Sequence, residues 1–127
     1  MVDDDPDIRR IAALSLGRIG GFEVALACGA EEAIAEVTRC RPDLVLLDVS
    51  MPGTDGPGVL AAIRALPGAL DLPVVFFTAT SSEVEVARLR ALGAVGVVAK
   101  PFEVSDLPRR VRAILAELGL GGEGPGP

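Results

Sequence analysis

Leu44-Val45-Leu46-Leu47-Asp48 is the stretch on which the fold of this chain turns. Four consecutive apolar residues read as a strand buried on both faces, the habit of a central strand in a parallel sheet, and the acid marks where the backbone leaves the core. Working outward, short apolar runs alternate with stretches of helical period, the pattern of an α/β domain with a doubly wound parallel sheet. Upstream, Met1-Val2 reads as the remnant of a first strand. Asp5-Pro6 caps and opens a helix running to about Ile19, with Ile8, Ile11, Ala12, Ser15 and Ile19 on one face and Gly20-Gly21 as its stop. Phe22 to Ala27 is the expected second strand and Ala30 to about Arg39 the second helix.

Downstream, a Pro/Gly-rich loop from Ser50 to Gly56 leads to a helix around Pro57 to Leu66, broken by Pro67-Gly68. Val74 to Phe77 is the fourth strand. Ser82 and Glu85 form a capping box for a helix reaching Leu92, with Gly93 ending it. Val95 to Ala99 is the fifth strand. From about Val104 to Leu118, the residues Leu107, Val111, Ile114, Leu115 and Leu118 recur at helical spacing, and Pro108 falls in the first turn where it is tolerated. Residues 1 to 119 read as one domain, and residues 120 to 127 as a flexible Gly/Pro-rich tail. A two-residue first strand is short against the usual length of about five. It implies missing upstream residues or a compensating contact from another chain.

The length of 127 residues suits one domain. No apolar run approaches the roughly 20 residues of a membrane span, and no basic stretch precedes an apolar one at the start, so the expectation is a soluble, cytoplasmic protein without a membrane partner. A net charge of −6 with scattered basic residues argues against direct nucleic-acid binding. The chain has no His, Asn, Gln, Trp or Tyr. Without imidazole there is no Ser-His-Asp or Cys-His catalysis and no phosphohistidine made within the chain. Cys28 and Cys40 lack the spacing of a thiolate metal site and read as ordinary buried or half-buried thiols.

In open α/β sheets, ligands bind beyond the carboxyl ends of the strands. Asp3, Asp4 and Asp5 follow the first strand, Asp48 the third, Thr78 the fourth and Lys100 the fifth, so all of them face one crevice. Carboxylates crowded there repel one another, and a hard divalent cation with oxygen ligands, foremost Mg2+, relieves that repulsion. Lys100 is the only lysine among twelve basic residues. Its ammonium is a compact charge able to meet a carboxylate or a phosphoryl oxygen.

Taken together, Val2-Asp3-Asp4, Leu46-Leu47-Asp48-Val49-Ser50-Met51-Pro52-Gly53-Thr54-Asp55-Gly56, Phe77-Thr78-Ala79 and Lys100-Pro101-Phe102 resemble the receiver domains of two-component response regulators, over almost the whole chain. The resemblance implies a flavodoxin-like five-stranded sheet of order 2-1-3-4-5 with a shortened first strand. It implies that Asp48 is the phosphoacceptor. Asp4, Asp3 through water, Asp48 and the Ser50 backbone carbonyl would hold Mg2+. Lys100 would pair with Asp48 or its phosphoryl group, Thr78 would bond the phosphoryl oxygen, and the peptide before Pro101 would be cis. The implied partners are a sensor histidine kinase or a histidine phosphotransfer protein and a downstream protein target. Family behaviour also admits a homodimer. Catalysis would be limited to self-phosphorylation and slow dephosphorylation. One feature departs from the pattern: Val97 occupies the place of the switch aromatic. Val97 and Phe102 then offer a simpler packing change, or output couples weakly to phosphorylation.

Other readings fit less well. Haloacid-dehalogenase-type hydrolases resemble Asp-x-Asp at the nucleophile, where this chain has Ser50. A flavin site calls for a Ser/Thr/Gly phosphate loop where three Asp stand. Gly119 to Gly124 matches G-x-G-x-x-G but follows a helix instead of a strand. Arg109, Arg110 and Arg112 read as a solvated helix face sooner than a docking patch. A receiver-like interaction module with weak or no switching is the remaining alternative.

Overall fold

Five helices and a central sheet order the chain, and the computed structural model describes residues 1–51, 54–79 and 82–119. Helix α1 (Pro6–Ala13) continues without a break into a π-helical turn, Leu14–Ile19. Then come α2 (Ala30–Cys40), β1 (Val45–Asp48), the two-residue strands β2 (Ser50–Met51) and β3 (Thr54–Asp55), α3 (Gly56–Arg64), β4 (Val74–Thr78), α4 (Glu83–Ala91), β5 (Gly96–Ala99) and α5 (Leu107–Glu117). The β2–β3 ladder is antiparallel and lies within the stretch expected to be loop. The expected tail, residues 120 to 127, lies outside the described residues.

Strand β1 pairs in parallel with β4, Val45 opposite Val74 and Asp48 opposite Phe77, and β4 pairs in parallel with β5, Thr78 opposite Ala99. On the other side of β1, Val2 makes parallel bridges to both Leu47 and Ala27. The order 2-1-3-4-5 is therefore present, with its first two members reduced to single bridges. The expected strand Phe22 to Ala27 is reduced to the bridge at Ala27, with the Ala25 carbonyl accepting from the Met1 nitrogen at 2.9 Å.

Side chains of β1 and β4 alternate between two apolar clusters, as a period of two requires. Leu46, Val75 and Phe77 pack with Ala12, Leu16, Leu107 and Val111 of the first and last helices. Val45, Leu47, Val74 and Phe76 pack with Val37, Val59, Ile63 and Leu89 of α2, α3 and α4. Leu47, Ile63, Phe76 and Phe77 are fully buried, and each stabilises the fold by about 1.5–3 kcal/mol.

Three expectations need correction. In the π turn the Gly20 N–H donates to the Ser15 carbonyl, five residues back, at 2.9 Å. Ala12, Ser15 and Leu16 point inward at ordinary helical spacing, while Ile11 and Ile19, expected on the buried face, are exposed; the extra residue rotates the surface toward the end of the turn, where Ile19 lies. Both cysteines are exposed: Cys28 follows the last bridge of its segment, and Cys40, although at helical spacing from the buried Ala33 and Val37, is the last residue of α2. Helix α5 begins at Leu107, three residues later than expected. The arginines of α5 divide their work. Arg109 pairs with Asp106 at 2.6 Å, and Arg112 lies 4.7 Å from the Phe22 ring centroid and donates to the Gly20 carbonyl.

Candidate functional site

The site forms where β1, β4, β5 and the Val2 bridge all end on one rim. Parallel register fixes this: with Asp48 opposite Phe77 and Thr78 opposite Ala99, residues one step apart along the chain finish level with one another in space. The Val2–Leu47 bridge brings the start of the chain to the same rim, through hydrogen bonds from Val2 N to the Leu46 carbonyl at 2.7 Å and from Asp48 N to the Val2 carbonyl at 2.9 Å.

The carboxylates of Asp3, Asp4 and Asp48 each place an oxygen within 4.8 Å of the other two. Asp3 and Asp48 are buried, while Asp4 is exposed. Lys100 reaches in from the end of β5, its Nζ 2.9 Å from Asp3 Oδ2 and 3.1 Å from Asp48 Oδ1. The expectation had Lys100 pairing with Asp48; it holds Asp3 as well, and at a slightly shorter distance. Burial works against the charge on Lys100, but the hydrogen bonds and negative charges of Asp3 and Asp48 outweigh it and raise its pKa. Three hard oxygen donors at one rim suit a hard divalent ion.

Asp5 has a different task from its two neighbours. Its side chain accepts from Asp7 N at 2.9 Å and caps α1, and its own N–H donates to Asp3 Oδ1 at 2.9 Å. Thr78 is buried at the end of β4, and its carbonyl accepts from Lys100 N at 2.8 Å. Ser50 opens β2 two residues beyond Asp48. The Lys100–Pro101 peptide is cis, as expected.

Two supporting residues escaped the reading of the sequence. Arg9 donates to the Asp3 carbonyl at 2.7 Å, and its only signal was a basic residue early in a helix. Gly56 lies so close to the site that a Cβ there would sit 2.6 Å from the Asp48 carbonyl oxygen and 2.8 Å from the Phe76 ring. As the last residue of a Pro/Gly-rich loop it carried no mark of that contact.

Across known proteins, the family model described as the response regulator receiver domain matches residues 1–112. The chain belongs to this receiver family. Transcriptional regulatory protein PrrA of Mycobacterium tuberculosis is 43% identical over 121 residues, which cover 94% of this chain and 50% of that protein. DNA-binding response regulator MtrA of Mycolicibacterium smegmatis is 39% identical over 115 residues, covering 91% and 49% respectively. This receiver domain thus spans about half the length of the curated relatives it matches. Among solved structures, the chemotaxis response regulator CheY4 of Vibrio cholerae superposes with a TM-score of 0.82 at 30% identity, over 90% of this chain and 94% of that one. The receiver is homologous to two-component regulators, a family in which accepting a phosphoryl group is typical. Among its described residues no helix is long and apolar enough to cross a membrane.

Val97 is half-buried on β5 opposite Phe76 and packs with the cluster of α2, α3 and α4. Phe102 packs on the opposite face and stacks on Phe77, ring centroids 5.5 Å apart. Val97 and Phe102 therefore lie on opposite faces of the sheet.

Proposed function

We propose that this receiver takes a phosphoryl group onto Asp48 from the phosphohistidine of a sensor histidine kinase or phosphotransfer protein, and presents the change to a downstream protein target. The observation that carries the reading is the Lys100 ammonium, 3.1 Å from Asp48 and 2.9 Å from Asp3, beside three carboxylates gathered within 4.8 Å. An Asp48 carboxylate oxygen attacks phosphorus, the P–N bond of the donor breaks, and its electron pair leaves with the imidazole nitrogen. Lys100 stays beside the oxygens on which charge collects, where a fixed cation in a water-poor site is worth most. Thr78 supplies a hydroxyl to the new phosphoryl oxygen. Asp3, Asp4, Asp48 and the Ser50 carbonyl would hold Mg2+, which supplies further charge neutralisation when bound. We take residues 1–119 as the functional unit. PrrA carries transcriptional regulation in its name and MtrA DNA binding; we assign this acidic chain the switch and not a DNA contact.

A small phosphodonor with Mg2+ should label the intact protein and fail to label Asp48→Asn. Persistent labelling of the variant would move the acceptor to another residue. Val97 favours a second reading, an interaction module that keeps the fold but switches weakly. Labelling that leaves the amide exchange of α4 and β5 unchanged would select that reading.

A further inference from the structure

Ser15 is a polar side chain that the phosphoryl chemistry leaves unused. It is fully buried in the π turn, flanked along the helix by Ala12 and Leu16 of the apolar cluster under the first and last helices. A hydroxyl in such surroundings needs a partner. Ser15 Oγ donates to the Val104 carbonyl, 89 residues along the chain, in the loop that joins Lys100 to α5.

A proline explains why that carbonyl is open. Leu107 N donates to the Glu103 carbonyl at 3.1 Å and Arg110 N to the Asp106 carbonyl at 3.0 Å. Each bond reaches four residues back, so helical bonding already runs through this turn. The Val104 carbonyl stands next in that ladder after Glu103 and would take the N–H of residue 108. Residue 108 is Pro and has none. Val104 is half-buried, where a carbonyl left without a donor is costly. The Ser15 hydroxyl fills the gap. Two further contacts tie the same pieces together: a Cβ on Gly20 would lie 2.9 Å from the Pro108 Cβ, and Arg112 donates to the Gly20 carbonyl.

We propose that Ser15 is a positioning residue for Lys100, standing in for the backbone donor that Pro108 lacks and so fixing the loop that carries Lys100 to the rim. Three contacts pin that stretch in turn. Lys100 N donates to the Thr78 carbonyl at 2.8 Å, Phe102 stacks on Phe77, and Val104 is held by Ser15. At its other end the same continuous helix holds the acids, since Asp5 N donates to Asp3 Oδ1 and Arg9 to the Asp3 carbonyl. The helix thereby sets both members of the Lys100–Asp3 pair against each other. The consequence for phosphoryl transfer rests on the function proposed above.

Lys100 is the only lysine, so its modification by an amine-reactive ester, read by mass spectrometry on the peptide that contains it, reports one side chain. In metal-free buffer Ser15→Ala should be modified there about fivefold faster than the parent, the factor that one net hydrogen bond is worth. With Mg2+ and a small phosphodonor the same variant should label Asp48 more slowly. Pro108→Ala returns an N–H to the Val104 carbonyl, so in that background the Ser15→Ala change should leave both rates as they are. Either rate unchanged in Ser15→Ala alone would overturn the proposal. So would an equal effect with and without Pro108, which would reduce Ser15 to a packing residue. Should Ser15→Ala fail to fold, a folded double variant supports the exchange of donors, and an unfolded one overturns it. A parent that never labels at Asp48 would instead overturn the proposed function, while the modification rates still test the loop.

Discussion

Lys100 is the residue on which the resting site depends. It is the shared countercharge of two acids whose side chains are only 1% and 7% exposed, while its own side chain is 20% exposed. Removing one partner of a buried pair leaves an uncompensated charge, which costs about 3–5 kcal/mol when burial is complete. Partial exposure of Lys100 brings the expected loss for Lys100→Met to about 2 kcal/mol. Denaturant melts without Mg2+ check this, and added Mg2+ should recover part of the loss by giving the acids another cation. Equal stability of variant and parent in metal-free buffer would show that the contact contributes nothing. The raised pKa of Lys100 fixes the sign of a pH effect. A cation whose pKa rises on folding contributes fully below its unfolded value of about 10.4 and loses that contribution as pH climbs through the folded value. The Lys100 contribution should therefore be flat from pH 7 to 9 and decline only in stronger alkali. The difference between parent and Lys100→Met melts should hold steady from pH 7 to 9 and close only above the unfolded value of about 10.4.

Between residue and molecule, the junction from β1 to α3 shows how an element end positions chemistry. The chain leaves the core at Asp48, forms the β2–β3 ladder and returns so closely that Gly56 N donates to the Val49 carbonyl at 2.7 Å. Asp55 then caps α3, its Oδ1 accepting from Gly58 N at 2.7 Å. A methyl group at Gly56 would meet backbone at 2.6 Å and 2.9 Å, where neither neighbour is a flexible side-chain end. Gly56→Ala should cost about 2–3 kcal/mol and slow the labelling of Asp48 by displacing its carbonyl. A variant with parental stability and labelling rate would show that this turn has room to relax. The helices and the three central strands were legible in the sequence because each carries its own period and punctuation. The ladder and the π turn were not. The former needs two segments to meet, and the latter leaves the composition of a helix unchanged while rotating its surface.

At the scale of the molecule, an ion held by Asp3, Asp4 and Asp48 would be coupled to folding, since those carboxylates meet only when the first residues and β1 share a rim. A ligand bound to the folded state at about ten times its Kd stabilises by about 1.4 kcal/mol, or about 5 °C for a domain of this size. Mg2+ should raise the melting temperature of the parent by that order and raise Asp4→Asn by markedly less. Equal shifts would place the ion elsewhere. Read alone, the chain determined its α/β class and the identity of the residues at the strand ends, because burial and alternation are written into neighbouring side chains, while the strand order came with the resemblance to receiver domains. Only the folded structure decided that Lys100 bridges Asp3 and Asp48 together, that both cysteines face outward and that Val97 and Phe102 lie on opposite faces. Those outcomes depend on distances between segments tens of residues apart. Such distances are set by sheet register and helix rotation, which no local pattern records.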